Sequence, residues 1–280
     1  MTRPPDLTDR PALARARART RRAPALFLHH TVADEVQERL EEVNRSFTAP
    51  AVVTPFAQVW APALPGARIV PDADILDLEP GAHDLVIHAL ALHWANDPVG
   101  QLVQCRRALR PDGLFLGILF GGRSLHELRA ALAEAEVALT GGLSPRVLPM
   151  GEIRDLGALL QRAGFALPVA DSVVQTVSYE TPFHLMRDLR AMGEANALAA
   201  RHRRAAPRNL FAEAARRYAQ AHAGPDGRIP ATAEMIYLTG WAPDDKQQKP
   251  LRPGSATTRL ADALGTAEVT LPDRKSRGSD

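Results

Sequence analysis

This 280-residue chain has a single cysteine, Cys105. One cysteine excludes an intramolecular disulfide and any multi-cysteine zinc or iron–sulfur site. Cys105 lies midway along a segment of helical periodicity, so a buried or half-buried, inert thiol is expected there rather than a nucleophile. No apolar run approaches the ~20 residues that span a bilayer, and none suits a secretory signal. The net charge of +2 is too small to argue for a nucleic-acid partner. The basic residues cluster instead, at Arg15–Arg22 and Arg201–Arg208. The stretch RPALARARARTRR at 10–22 is poor in acid and imitates a mitochondrial transit peptide, but no Ser-rich run accompanies it. The expected location is cytoplasmic.

What is present suits one sizeable core with room for an insertion: 45% of residues are hydrophobic and 24% charged. The most informative stretch runs from Asp84 to Leu119. Leu85-Val86-Ile87 forms a short apolar run, as in a strand buried on both faces. Asn96-Asp97-Pro98 supplies a capping residue followed by proline, the signature of a helix start. Val99, Leu102, Val103, Arg106 and Leu109 then follow helical spacing, Pro111-Asp112-Gly113 makes a turn, and Leu114 to Phe120 is a second strand. Strand, helix and strand in this order are a crossover in a parallel sheet, so the fold class is α/β.

The string HDLVIHALALHWANDPVGQLVQCRRALRPDGLFLG resembles the fourth strand, fourth helix and fifth strand of class I S-adenosylmethionine-dependent methyltransferases. Further strings occur in order: GGRSLHELRAALAEAE, GGLSPRV, RDLGALLQRAGF, MRDLRAMGEANAL, DGRIPATAEMIYLTGWAP and QKPLRPGSA. Together they resemble the methyltransferase-fold assembly factors of respiratory complex I in mitochondria and α-proteobacteria, over roughly residues 26–264. The animal member of that group is credited with hydroxylating an arginine of a complex I subunit. The resemblance implies a Rossmann-like fold, S-adenosylmethionine as cofactor, and a protein partner, a respiratory complex I subunit. Through that partner the chain would sit against the inner membrane.

A class I methyltransferase holds its cofactor with a glycine-rich loop after the first strand, where the backbone must approach the ligand closely. An acid after the second strand holds the ribose, by the logic of dinucleotide-binding folds. Neither is in its place here. Between Phe47 and Asp84 the only glycines are Gly66 and Gly81, and Ala51-Val52-Val53 runs into Thr54-Pro55-Phe56. Proline removes a donor and phenylalanine fills the space a ligand would need. The interval is shorter than the family's by about one strand–helix unit, the one that carries the ribose acid.

Part of the other half remains. Asp72 and Ala73 match the pair that meets adenine after the third strand; as a turn-capping residue Asp72 has an equally good alternative role. His88 and Ala89 end the fourth strand, where ligands sit in open α/β sheets, although a hydrogen-bonded buried histidine explains His88 better. These four are the candidate cofactor contacts. His93-Trp94 matches the family's HW pair and works equally as a core or rim aromatic. No catalytic residue emerges. His29, His30, His88 and His93 lack the spacing of a helical metal site, and no carboxylate completes a triad, so no metal is expected. Arg123 stands where relatives often carry an acid beside Gly121-Gly122. Glu194 and Asn196 belong to the MGEANAL string, where a helix face packing on the core explains Met192 and Gly193 as well as a function would, and Arg252 and Ser255 mark either a phosphate- or partner-binding turn or, better, a solvated loop.

Three segments are expected: a basic helix or arm within 1–46, a methyltransferase-like core at 47–242, and an extension at 243–280 with a disordered tail. A helical insertion at about 181–223, with helices at 182–200 and 208–222, separates the last two strands, which a hairpin would otherwise join. A retained insertion beside a lost cofactor loop leads to the functional expectation of a pseudoenzyme that works by protein binding. The alternatives are an active methyltransferase and, last, an arginine hydroxylase.

Overall fold

The central sheet is assembled from runs that are apolar on both faces. In a computed structural model, which describes residues 5–20, 23–247, 262, 265 and 266, six strands lie in the order β2-β1-β3-β4-β6-β5. They are β1 (Pro50–Val53), β2 (Arg68–Val70), β3 (His83–Ala89), β4 (Leu109–Phe120), β5 (Ala166–Tyr179) and β6 (Ile229–Trp241). The first four in spatial order are parallel, and β6 runs antiparallel to both β4 and β5. This is the class I methyltransferase fold in shortened form. β2, which precedes Asp72-Ala73, pairs directly with β1, and only helix α3 (Ala57–Ala63) lies between them in sequence.

Alternation of side chains divides the core. Val52, Leu85, Ile87, Leu116, Ile118 and Tyr237 pack with Val32 and Val36 of α2 (Phe27–Glu42) and with Trp60 of α3. On the opposite face Val53, Val86, Phe115 and Leu238 pack with Leu102 and Cys105 of α4 (Pro98–Ala108) and Leu160 of α6 (Ile153–Ala163). Two covered faces are why these strands read as unbroken apolar runs. Phe115 stacks on Phe165 with ring centroids 4.8 Å apart, and a Cβ on Gly117 would press within 2.9 Å of the Phe115 ring. Cys105 is fully buried, and burial pushes its thiol pKa up, as an inert thiol requires.

The start of α4 follows the sequence reading. Asp97 is its N-cap and accepts from Gly100 N at 2.8 Å, with Pro98 in the first turn. A Cβ on Gly100 would collide with that carboxylate. Asp97→Ala is expected to cost about 1 kcal/mol, read as a lower urea midpoint at unchanged slope.

The insertion forms its own layer. α5 (His126–Thr140), α7 (Pro182–Ala191) and α8 (Arg208–His222) enclose Leu128, Leu132, Leu185, Leu210 and Tyr218, and Tyr218 donates to Pro230 O at 2.7 Å. The expected helix at 182–200 is corrected here: α7 ends at Ala191, and Gly193 takes a left-handed φ of +84°. Only a residue without Cβ does so freely, and the turn sends Glu194 inward.

The basic segment is a helix, α1 (Arg10–Thr20), that buries Leu13, Ala16 and Thr20. Residues 1–244 make one compact unit and 245–280 a second. Arg252, Ser255 and nearly all of the expected tail fall outside the described residues.

Candidate functional site

The parallel strands deliver four loops to one edge of the sheet, where ligands bind in open α/β folds. Thr54-Pro55-Phe56 follows β1, Pro71-Asp72-Ala73 follows β2, Leu90 to Trp94 follows β3, and Gly121 to Ser124 follows β4.

The first loop is closed by its own side chains. Thr54 Oγ1 accepts from Phe56 N at 3.2 Å, and Phe56 is 3% exposed. The His29 ring meets Phe56 edge-on, with centroids 4.7 Å apart. No ring nitrogen of His29 has a partner, and burial lowers its pKa to about 4, so the imidazole is neutral.

Asp72 faces α1. Arg17 Nη1 donates to both carboxylate oxygens at 2.7 Å, and Arg10 donates to Oδ2 at 3.2 Å and to the main-chain oxygen of Asp72. The side chains of Asp72 and Arg17 are only 6% and 11% exposed. A second clamp holds the same helix: Asp9 pairs with Arg201 at 2.9 Å and Arg203 at 2.7 Å. The Ala12 N–H, then these two guanidiniums, hold the Asp9 carboxyl well below the usual carboxylate range. Thr8 N donates to Asn96 Oδ1, and Asn96 Nδ2 returns a bond to Thr8 O.

Two of the four candidate cofactor residues, Ala73 and His88, are joined in one network. Gln101 Nε2 donates to Ala73 O at 2.9 Å, which orients its amide so that Oε1 accepts from His88 Nε2 at 2.7 Å. His88 is fully buried; burial lowers its pKa to about 4, against the Gln101 bond and the Asp72 charge. Ala89 is separate from them, fully buried in the α2 face of the core.

Two strings far apart in sequence meet at this edge. Trp94 Nε1 donates to Glu194 Oε2 at 2.7 Å, and His93 Nε2 lies 3.3 Å from the same oxygen. Burial alone would raise the Glu194 pKa; the His93 and Arg17 charges and the two hydrogen bonds outweigh it and hold the carboxyl low. Glu194 Oε1 has no partner. Beside Gly121-Gly122, Glu234 of β6 accepts from Arg123 N at 2.9 Å, so a carboxylate does stand at this loop, from a distant strand.

Two cavities flank the cluster. One of about 540 Å3 is bounded by Arg10, Leu13, Arg17, Phe56, Gln58 and Asp72. The other, of about 260 Å3, lies against the insertion between Trp94, Phe120, Leu128, Met186 and Phe211, with Glu194 in its wall. Among the described residues, no group of three or more His, Cys, Asp or Glu is placed to hold a metal. No helix among them is long and apolar enough to cross a membrane.

Arg10, Arg17 and Gln101 were not singled out from sequence, and His29 was considered only as a metal ligand and excluded. The arginines look like a solvated basic run until Asp72 is seen beneath them, and only the HW and MGE strings signalled the Trp94–Glu194 contact.

Residues 34–117 match the family described as "Methyltransferase domain", which defines the class of protein. A human protein named "Arginine-hydroxylase NDUFAF5, mitochondrial" is 35% identical over 238 residues, covering 85% of this chain and 68% of that protein. A malonyl-[acyl-carrier protein] O-methyltransferase of Halorhodospira halophila is 35% identical over 204 residues, covering 72% and 67%. A methyltransferase-like protein of Bacillus halodurans, solved by crystallography, aligns with a TM-score of 0.47 at 15% identity, over 74% of this chain and 98% of its own. The chain belongs to the methyltransferase-fold family that contains the NDUFAF5 proteins. It spans about three fifths of the length of the fish, mouse and rat proteins of that name.

Proposed function

We propose that this protein acts by binding a protein partner, a respiratory complex I subunit, and that its hold on S-adenosylmethionine is weak or lost. One observation carries the reading: the acid left to meet adenine, Asp72, is saturated by Arg10 and Arg17. Phe56 adds to it by filling the first loop. On this reading the residues do not fit the cofactor, because backbone approach and a free carboxylate are both required and neither is offered. The insertion and the 193–201 segment remain as a surface for a partner, at the cytoplasmic face of the inner membrane. Isothermal titration with S-adenosylmethionine and S-adenosylhomocysteine tests it. No heat and no thermal shift at millimolar ligand is the expected result; micromolar binding of either overturns it.

A second reading, an active methyltransferase, is favoured by the cavity of about 540 Å3 beside Asp72, which has room for a small molecule. Arginine hydroxylation, the activity in the relatives' printed name, ranks behind both, since the described residues bring no iron-binding set together.

A further inference from the structure

The cavity of about 260 Å3 against the insertion has a mostly apolar wall. Trp94 and Phe120 line it from the edge of the sheet, Leu128 and Leu132 from α5, and Met186 and Leu189 from α7. Met150 and Met192 add two more thioethers, which are unbranched and polarisable and so adapt to an apolar guest.

The polar side chains of this wall are already committed. Ser124 Oγ donates to Glu234 O and accepts from Glu234 N, and Thr232 Oγ1 donates to Glu127. Asn196 donates to Pro145 O and accepts from Leu198 N, and Arg146 is paired with Glu136 at 2.6 Å. Glu194 offers nothing to the space: Oε2 is taken by Trp94 and His93, and Oε1 is closed to water. Among the charged side chains of the wall only Arg190, exposed near the end of α7, makes no hydrogen bond or ion pair. Asp188, two positions before it, is engaged by Tyr179. A guest in this cavity must therefore bring an apolar body that asks for no hydrogen bond, because a buried polar group would find no partner. At about 30 Å3 for each water-sized group, the space takes roughly nine of them.

We propose that this cavity binds the chain of a linear aliphatic amphiphile about eight to ten carbons long, whose anionic head stays at the rim beside Arg190. The site uses neither Phe56 nor Asp72, so it stands apart from the proposed loss of S-adenosylmethionine binding.

Titration of the full-length protein with straight-chain carboxylates from hexanoate to dodecanoate, and with 1-octanol, tests this by calorimetry. Burial of each methylene should raise the affinity about fourfold, and the gain should stop near nine carbons, where the cavity is full. Octanoate should shift the methyl NMR signals of the three methionines in the wall, Met150, Met186 and Met192. Arg190→Gln should weaken octanoate about two- to fivefold and leave 1-octanol unchanged, because the head remains in solvent. Ala233→Phe, which fills much of the cavity from β6, should abolish binding. The chain-length series uses the unaltered protein, so a variant that fails to fold does not blunt the test. No saturable binding at millimolar octanoate, a gain that continues to dodecanoate as adsorption to an open surface would give, or shifts that spare all three methionines would each overturn the site.

Discussion

Acidification from pH 6.5 to about 4 is expected to cost this protein about 6 kcal/mol of folding stability through two histidines alone. His29 and His88 are both fully buried, and burial lowers each pKa from 6.5 to about 4. For His29 the Glu194 charge opposes this shift, and the charges of Arg17, His93 and His30 add to it. The sign follows from proton uptake. Below pH 6.5 the unfolded chain protonates both rings while the folded protein does not, so the unfolded state gains. The loss grows until the folded-state pKa near 4 is reached, and there it levels off. About 3 kcal/mol per ring is a large part of the 5–15 kcal/mol that holds a typical domain together. Glu194, whose pKa is held low, acts in the same direction: its contribution is present above 4.5 and disappears as pH falls through its folded value. Urea midpoints measured across this window should fall steeply. His29→Leu should remove about half of the histidine effect, and because neither ring nitrogen is hydrogen-bonded, it should do so without loss at neutral pH. A wild-type profile flat down to pH 4 would sink the argument.

The second large effect is at Asp72. Asp72→Ala is expected to destabilise the protein by about 3–5 kcal/mol, because it strands Arg17, a buried guanidinium, without its counter-ion. Asp74→Ala makes the control. Its carboxylate is 62% exposed and 3.7 Å from Arg10, so about 1 kcal/mol or less is expected. The two substitutions differ by two positions in sequence and by several kcal/mol in outcome only if α1 is seated as described. Limited proteolysis should report the same difference, with cleavage within 10–20 accelerated in Asp72→Ala and unchanged in Asp74→Ala. Asp72→Ala combined with Arg17→Met should recover most of the loss, since both charges are then gone. Equal stability of the two single variants would show that the Arg17–Asp72 pair contributes nothing.

Much of the fold was legible because it is written in local patterns. The unit from His83 to Phe120 follows from an apolar run and an Asp-Pro helix start, each settled within a few residues, but the expected Pro111-Asp112-Gly113 turn is corrected: β4 already begins at Leu109, and these residues form an irregularity within it, with Asp112 at φ +60°. Gly164 ends α6 with φ +82°, a left-handed position that suits glycine. Extents were less legible. β5 runs from Ala166 to Tyr179 because its pairing with β6 is set by the partner strand and not by its own alternation. α7 stops at Ala191 although helix-forming residues continue, because Glu194 is drawn to Trp94, 100 positions away.

What the sequence determined by itself, then, is the α/β class, the family, the missing glycine-rich loop and the lone inert cysteine. All of these rest on residue type and short-range spacing. What only the tertiary structure decided is the state of the candidate site. Asp72 and Arg17 are 55 positions apart, and His88 and Ala73 are joined through Gln101. Whether a carboxylate is free for a ligand or saturated by a guanidinium depends on which side chains the chain brings within 3 Å of it. That is a property of packing between distant segments, and a linear pattern of residues does not contain it.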